Sequence, residues 1–186
     1  MNFNKHSDIV GKHAILSASK YHWVNYDVEK MRQIYRNAQA AQQGTELHEL
    51  AARLIRLGVR LPKNKQTLNL YVNDAIGYRM TPEQPLFYSV NWFGTADAIS
   101  CRDGLLRIHD LKTGEMDAKM TQLEIYAALY CLEYGEKPNK LNMELRIYQN
   151  NEVLVHHPEP ADIQAIMNKG MLFDKEIEKM KREEAV

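Results

Sequence analysis

Asp103-Gly104 is the feature that most narrows what this chain can fold into. A type I′ turn needs positive φ at both central residues, and Asp-Gly is among the strongest two-residue hairpin signals. The pair lies between two segments of period-two character, Thr95 to Cys101 and Leu105 to Lys112. A two-residue loop makes Arg102 face Leu105. Counting away from the turn along both strands then brings Asp97 opposite Asp110, with Cβ atoms about 5 Å apart on one face. A three-residue loop would shift that register. Facing carboxylates repel, and one is pushed towards protonation unless something positive lies between them. A divalent cation resolves the conflict, and hard oxygen ligands suit Mg²⁺ or Mn²⁺. Lys112, two residues beyond Asp110, shares its face. Two acids and a lysine so placed form a site for metal-assisted phosphodiester hydrolysis. Asp-x-Lys alone is common and usually marks a solvated strand end. Here Asp97 is bracketed by Ala96, Ala98 and Ile99, and Asp110 follows Leu106 and Ile108. Carboxylates on such apolar strands are less often decorative.

The rest of the chain builds a mixed α/β, or α+β, fold around this hairpin. Asp27 to Gln43 reads as an amphipathic helix, with Val28, Met31, Tyr35 and Ala38 on one stripe. Gly44 separates it from a second helix, Thr45 to Leu57, with Thr45 as N-cap and Gly58 as stop. Leu47, Leu50, Ala51, Leu54 and Ile55 form that helix's buried stripe. Thr67 to Met80 reads as a third helix. After Pro82 and Pro85 the period changes to two, and Phe87 to Trp92 opens a run of three strands. Asp117 to Tyr134 returns to helix and ends at Gly135. It is apolar on two sides, so it is expected between the sheet and a further layer. Leu141 to Tyr148 and Glu152 to His156 form a second hairpin, turning at Asn150-Asn151. Ala161 to Arg182 closes the chain as a helix with a charged end. The domain reading is one unit in three stretches: helical over 1–82, sheet and core over 83–160, and a last helix over 161–186.

The 186 residues suffice for one domain with a real core, or one domain plus a small helical lobe. A formal net charge of +0 rules out a whole-protein basic field, so nucleic acid would have to meet a local patch. Two cysteines, Cys101 and Cys131, are too few for a four-thiolate cluster and read as reduced, mostly buried thiols. No apolar run is long enough to span a bilayer. The stretch Met1 to Lys12 is polar and lacks a signal-peptide core, so a cytoplasmic location without membrane contact is expected.

Several motifs in order resemble the PD-(D/E)xK nuclease superfamily. They are Phe93-Gly94-Thr95-Ala96-Asp97-Ala98-Ile99, then Ile108-His109-Asp110-Leu111-Lys112-Thr113-Gly114, then Gln122-Leu123-Glu124-Ile125-Tyr126. The branch to which they are most similar is that of the RecB-like and Cas4-like nucleases. Leu16-Ser17-Ala18-Ser19 with Trp23, and Gly44-Thr45-Glu46-Leu47-His48-Glu49-Leu50-Ala51, are similar to the opening motifs of its phage and prophage members. The resemblance runs from about residue 14 to about residue 130. It implies a restriction-endonuclease-like core, with a central mixed sheet flanked by helices and an N-terminal helical region. It implies a Mg²⁺- or Mn²⁺-dependent deoxyribonuclease, an exonuclease of phage or bacterial recombination, replication or repair, working in a bacterial or phage-infected cell. Asp97 and Asp110 would be metal ligands, joined by the Leu111 carbonyl and by His48. Lys112 would orient or activate the nucleophilic water, and Gln122 and Tyr126 would position the metal shell or a phosphate. Cas4-like relatives hold an iron–sulfur cluster on four cysteines. Asn25 stands after Trp23 where a cysteine would be expected, so no cluster is predicted here.

Read without the family, these last residues stay open. His48 flanks an apolar stripe and is a ligand or a structural histidine. Gln122 and Tyr126, one turn apart, are a site pair or a helix-surface pair. Glu46 and Glu49 are site acids or first-turn charges. Arg53, Arg56 and Arg60 follow one helix face and Lys63 and Lys65 continue the run, with no acid from Leu50 to Lys65. They track a phosphate backbone or form a solvated face. Tyr21 and Trp23 stack on bases or pack in the core. The expected partners are single- or double-stranded DNA, a recombination or replication protein, and a second copy of the chain. Endonuclease or nickase activity, and a catalytically silent DNA-binding module, are the alternatives.

Overall fold

The computed structural model describes residues 5–7, 11, 12, 14–114 and 119–184. The chain divides into two compact units, Met1–Gln43 and Gly44–Val186. The first holds a 3₁₀ segment, Ala18–Asn25, and the start of helix α1, Val28–Leu57. Asp27 caps that start, its Oδ1 accepting the Lys30 N–H at 2.7 Å. Of the apolar stripe expected there, Val28 and Tyr35 are 68% and 48% exposed and Met31 is half-buried.

The second unit is a five-stranded sheet with helices on both faces. Its strands are β1 (Thr81–Ser89), β2 (Trp92–Arg102), β3 (Leu105–Leu111), β4 (Asn142–Gln149) and β5 (Glu152–His156), in spatial order β1-β2-β3-β4-β5. Neighbours are antiparallel except β3 and β4, which are parallel. A parallel pair needs a crossover, and helix α3 (Thr121–Tyr134) supplies it. Both hairpin turns take the positive φ that their sequences invite: Asp103 at 51° with Gly104 at 74°, and Asn150 at 52° with Asn151 at 64°.

Helix α3 is buried on two sides, as its two apolar stripes require. Leu123 and Ala127 pack with Ile108, Leu145 and Ile147 of the sheet, and with Ile163 and Met167 of helix α4 (Pro160–Glu184). The opposite sheet face carries a second cluster. There Leu111 and Tyr148 meet Ala51 and Ile55 of α1, and Tyr71, Val72 and Ala75 of helix α2 (Thr67–Gly77). Asp74 ties α2 to the sheet, accepting from Tyr148 Oη at 2.7 Å and Arg146 Nη1 at 3.1 Å. His109 is fully buried nearby and is held down to about 3, by burial first and then by Arg146 and Arg107.

Several expectations need correction. Gly44 does not separate two helices, and Thr45 is not a cap, because α1 continues through both. Gly44 is buried where a Cβ would stand 3.0 Å from Thr113 Oγ1, so close approach rather than chain breaking explains the glycine. The strand expected at Phe87 to Trp92 straddles a turn. β1 begins at Thr81 and includes Pro82 and Pro85, which is tolerated because β1 is an edge strand. The third helix ends at Gly77 and not at Met80. The fourth begins at Thr121, and its expected start at Asp117 lies outside the described residues. Cys131 is buried but Cys101 is exposed, and neither forms a disulfide. No helix among the described residues is long and apolar enough to cross a membrane.

Candidate metal and catalytic centre

The β2–β3 ladder has the register that a two-residue turn dictates, from Arg102↔Leu105 back to Ala98↔His109. The next step would pair Asp97 with Asp110, and there regular pairing stops. The pleat slips at the same place: Ala96 packs in the α3-side cluster, whereas Ala98, two residues on, packs in the α2-side one. On the neighbouring strand the ladder passes from Pro82↔Ala98 to Gln84↔Ala96 without pairing Glu83. Glu83 sits at a φ of 51°, a left-handed conformation that costs a non-glycine residue roughly 1–2 kcal/mol. Such strain persists where surrounding structure imposes it, often at functional sites.

The irregularity gathers a cluster. His48 Nδ1 on α1 lies 3.3 Å from Asp97 Oδ2. One ligand atom each from His48, Glu83 and Asp97 lie within 4.8 Å of one another, close enough for one cation to span them. The Leu111 N–H donates to Asp97 Oδ2 at 2.9 Å, which fixes that carboxylate against the end of β3. Leu111 thus contributes its amide to Asp97, and its side chain is fully buried.

Asp110 stands beside this cluster, in a second chain of contacts. Lys112 Nζ lies 3.0 Å from both of its oxygens but is in hydrogen-bonding geometry only with Oδ1. Oδ2 is buried and has no hydrogen-bond partner among the described residues. Lys112 Nζ also donates to Gln122 Oε1 at 2.9 Å, and Gln122 Nε2 donates to Tyr126 Oη at 3.1 Å. The one-turn spacing on α3 therefore makes Gln122 and Tyr126 a linked pair. Gly94 lets the Tyr126 ring approach, since a Cβ there would stand 2.9 Å from Tyr126 Cε1.

Electrostatics at the centre reflect crowded carboxylates. Burial, then the Asp97 charge, raises Asp110 above the ordinary carboxylate range. The same two causes, in the same order, raise Glu83. His48 is raised chiefly by its hydrogen bond to Asp97. Each shift says that negative charge here is short of compensation. Two carboxylates and an imidazole are a donor set that could hold a divalent ion. Asp110 Oδ2, buried against Lys112 and accepting no hydrogen bond among the described residues, is a further oxygen beside them.

Glu83 is the site residue that sequence reading missed. It lies in Pro82-Glu83-Gln84-Pro85, ahead of the strands expected from Phe87 onward, and the only local hint was an acid between two prolines. The basic residues are more dispersed. Arg53, Arg56, Arg60, Lys63 and Lys65 are all exposed. The Arg56 charge reaches Glu83 and lowers it, while Arg60 and Lys63 line an open cavity of about 410 Å³ with Asn73 and Asp74. Within the first unit Tyr21 is exposed at 64%, and Trp23 is partly buried, its Nε1 donating to Ser17 O at 3.0 Å.

No family model matches the chain. No curated protein matches it either. Among solved structures, one titled "Crystal structure of SSO0001" is similar at 13% identity over 82% of this chain and 68% of that one, with a TM-score of 0.38.

Proposed function

We propose that the chain is a metal-dependent deoxyribonuclease of the PD-(D/E)xK type, acting as an exonuclease in phage or bacterial DNA recombination, replication or repair. The observation that carries the reading is the meeting of two groups where β3 ends beside the middle of β2. One is the His48, Glu83 and Asp97 cluster; the other is the linked series Asp110, Lys112, Gln122 and Tyr126.

His48, Glu83 and Asp97 would hold a Mg²⁺ or Mn²⁺ ion, with the Asp110 carboxylate beside it. When bound, the ion supplies Lewis acidity to a phosphodiester oxygen and lowers the pKa of coordinated water. The protein's own groups do the rest. The Leu111 amide and His48 keep the Asp97 carboxylate aimed. Lys112, tethered by Asp110 and Gln122, presents an ammonium that orients the attacking water and offsets charge developing on the phosphate. Tyr126 holds Gln122, and so the lysine, in place. Arg53, Arg56, Arg60, Lys63 and Lys65 would follow the backbone of a DNA strand.

The test is degradation of end-labelled single- and double-stranded DNA with Mg²⁺ or Mn²⁺. EDTA, Asp110→Ala and Lys112→Ala should each abolish it. Full activity in purified Asp110→Ala protein refutes the site. Covalently closed plasmid, left intact by an exonuclease, separates that mode from an endonuclease or nickase. One observation favours a second reading, a catalytically silent DNA-binding module: the His48–Asp97 and Lys112–Asp110 pairs partly balance the site's charge within the protein. Calorimetric silence towards Mn²⁺ up to millimolar concentration would select it.

A further inference from the structure

Helices α1 and α3 end on a glycine at positive φ, Gly58 at 67° and Gly135 at 68°. In each, the following residue bonds back across the last turn: Val59 N to Leu54 O at 3.0 Å, and Glu136 N to Cys131 O at 2.9 Å. Helix α2 ends in the same way, with Met80 N bonded to Ala75 O at 2.9 Å, but the left-handed residue is Arg79 at a φ of 53°. The backbone of this motif favours glycine. An arginine kept there is strained, and retained strain points to a use for the side chain.

Arg79 lines an open cavity of about 560 Å³, together with Tyr78, Arg102, Asp103, Arg107 and Asn142. Arg102 lies at the end of β2, and its Nη2 is 3.5 Å from Arg79 O. Arg107 is anchored, its Nε donating to Glu144 Oε1 at 2.9 Å while its guanidinium lies 4.3 Å from the centroid of the Tyr78 ring. Arg79 and Arg102 are exposed and form no ion pair among the described residues. Asp103 is the one carboxylate in the lining. The carbonyl end of α2 attracts a cation, which would account for one arginine. It does not account for Arg102, nor for placing Arg79 at a strained position, whereas Arg107 is already held by Glu144.

We propose that this cavity is a phosphate-binding site, taking a phosphate monoester or diester between the guanidiniums of Arg79 and Arg102, with Arg107 fixed behind them. The planar, five-donor guanidinium suits phosphate oxygens better than a point charge does. The site stands at the hairpin end of β2 and β3, away from the Asp97 end by five residues of strand, roughly 16 Å. It therefore does not depend on the nuclease reading. The phosphate could come from a small free compound or from a nucleic-acid backbone.

The full chain in EDTA, with the carboxylate cluster kept metal-free, is titrated with inorganic pyrophosphate and with single-stranded oligothymidylate. Arg79→Gly and Arg102→Gln are compared with the parent. Each should weaken binding by roughly tenfold or more, the scale of one hydrogen bond to a charged group. Arg79→Gly should keep the parental melting temperature within about 2 °C, because relieved left-handed strain is offset by the greater entropy of the unfolded glycine chain. Pyrophosphate binding abolished in the variants assigns a free phosphate ligand; oligonucleotide binding alone assigns the backbone. The proposal is overturned if neither probe binds the parent, or if both variants bind as the parent does.

Discussion

Gly94→Ala should damage the centre from a position that bears no chemistry. The new Cβ would stand 2.9 Å from Tyr126 Cε1, where ordinary contact begins at 3.4 Å. The ring must therefore retreat by about 0.5 Å, or the strand must bend. Tyr126 Oη accepts from Gln122 Nε2 at 3.1 Å, already long, so a retreat of that size takes the pair beyond a normal hydrogen bond. Gln122 then loses its anchor, and Lys112 keeps only Asp110 of its two partners. Overpacking of this kind costs about 1–3 kcal/mol. The lower entropy of the unfolded alanine chain returns about 0.4–1 kcal/mol. A net destabilisation of about 1–2 kcal/mol lowers the melting temperature by roughly 2–8 °C in a chain of this size. Misplacement of a catalytic group by about 1 Å can cost about a hundredfold in rate, so about tenfold is expected here. The decisive assay is a double-mutant cycle with Tyr126→Phe, read by both melting and DNA hydrolysis. Phenylalanine keeps the steric clash and removes the hydrogen bond, so the stability losses should nearly add while the activity losses should not. Gly94→Ala protein with parental melting and activity, or activity losses that multiply independently, would refute the coupling that runs from Gly94 through Tyr126 and Gln122 to Lys112.

Three further outcomes are expected. Mn²⁺ at a hundred times its dissociation constant should stabilise the protein by about 2.7 kcal/mol, a rise of roughly 5–11 °C; differential scanning fluorimetry should show that rise mostly abolished in Asp97→Ala and in Glu83→Ala. In metal-free protein the centre's own contribution to stability should fall as pH rises from acid towards neutral. Asp110 and Glu83 are raised in the fold, so their contribution is full below their unfolded values of about 4 and fades as pH passes through the folded ones; Asp110→Asn should flatten that fall in denaturant titrations. His48 is also raised, so its pairing with Asp97 is complete below about 6.5 and fades above its folded value. Replacing Arg56 and Arg60 by Gln should weaken DNA binding without sequence dependence and reduce the log–log salt slope by about one for each phosphate no longer neutralised; an unchanged slope would return both residues to the solvated face.

By itself the sequence determined the elements whose information is local. Asp103-Gly104 and Asn150-Asn151 specify two hairpins because the required φ values belong to those residues. The first turn then sets the β2–β3 register by counting, and the two stripes of α3 require a layer on each side of it. Asp97, Asp110 and Lys112 were legible as candidates from strand period and turn length, but the regular ladder stops one step short of pairing Asp97 with Asp110, and Asp97 groups instead with His48 and Glu83. Tertiary structure decided what depends on contacts far apart in the chain. Gly44 reads as a break until Thr113 is found against it, and Pro82 and Pro85 defer the first strand to Phe87 until β1 is known to be an edge. Glu83 joins the cluster only because packing holds it in a backbone conformation that its own side chain disfavours. Local preference sums over neighbours in sequence, whereas the cost of an unfavourable residue is met by neighbours in space, and the second of these cannot be read along a single chain.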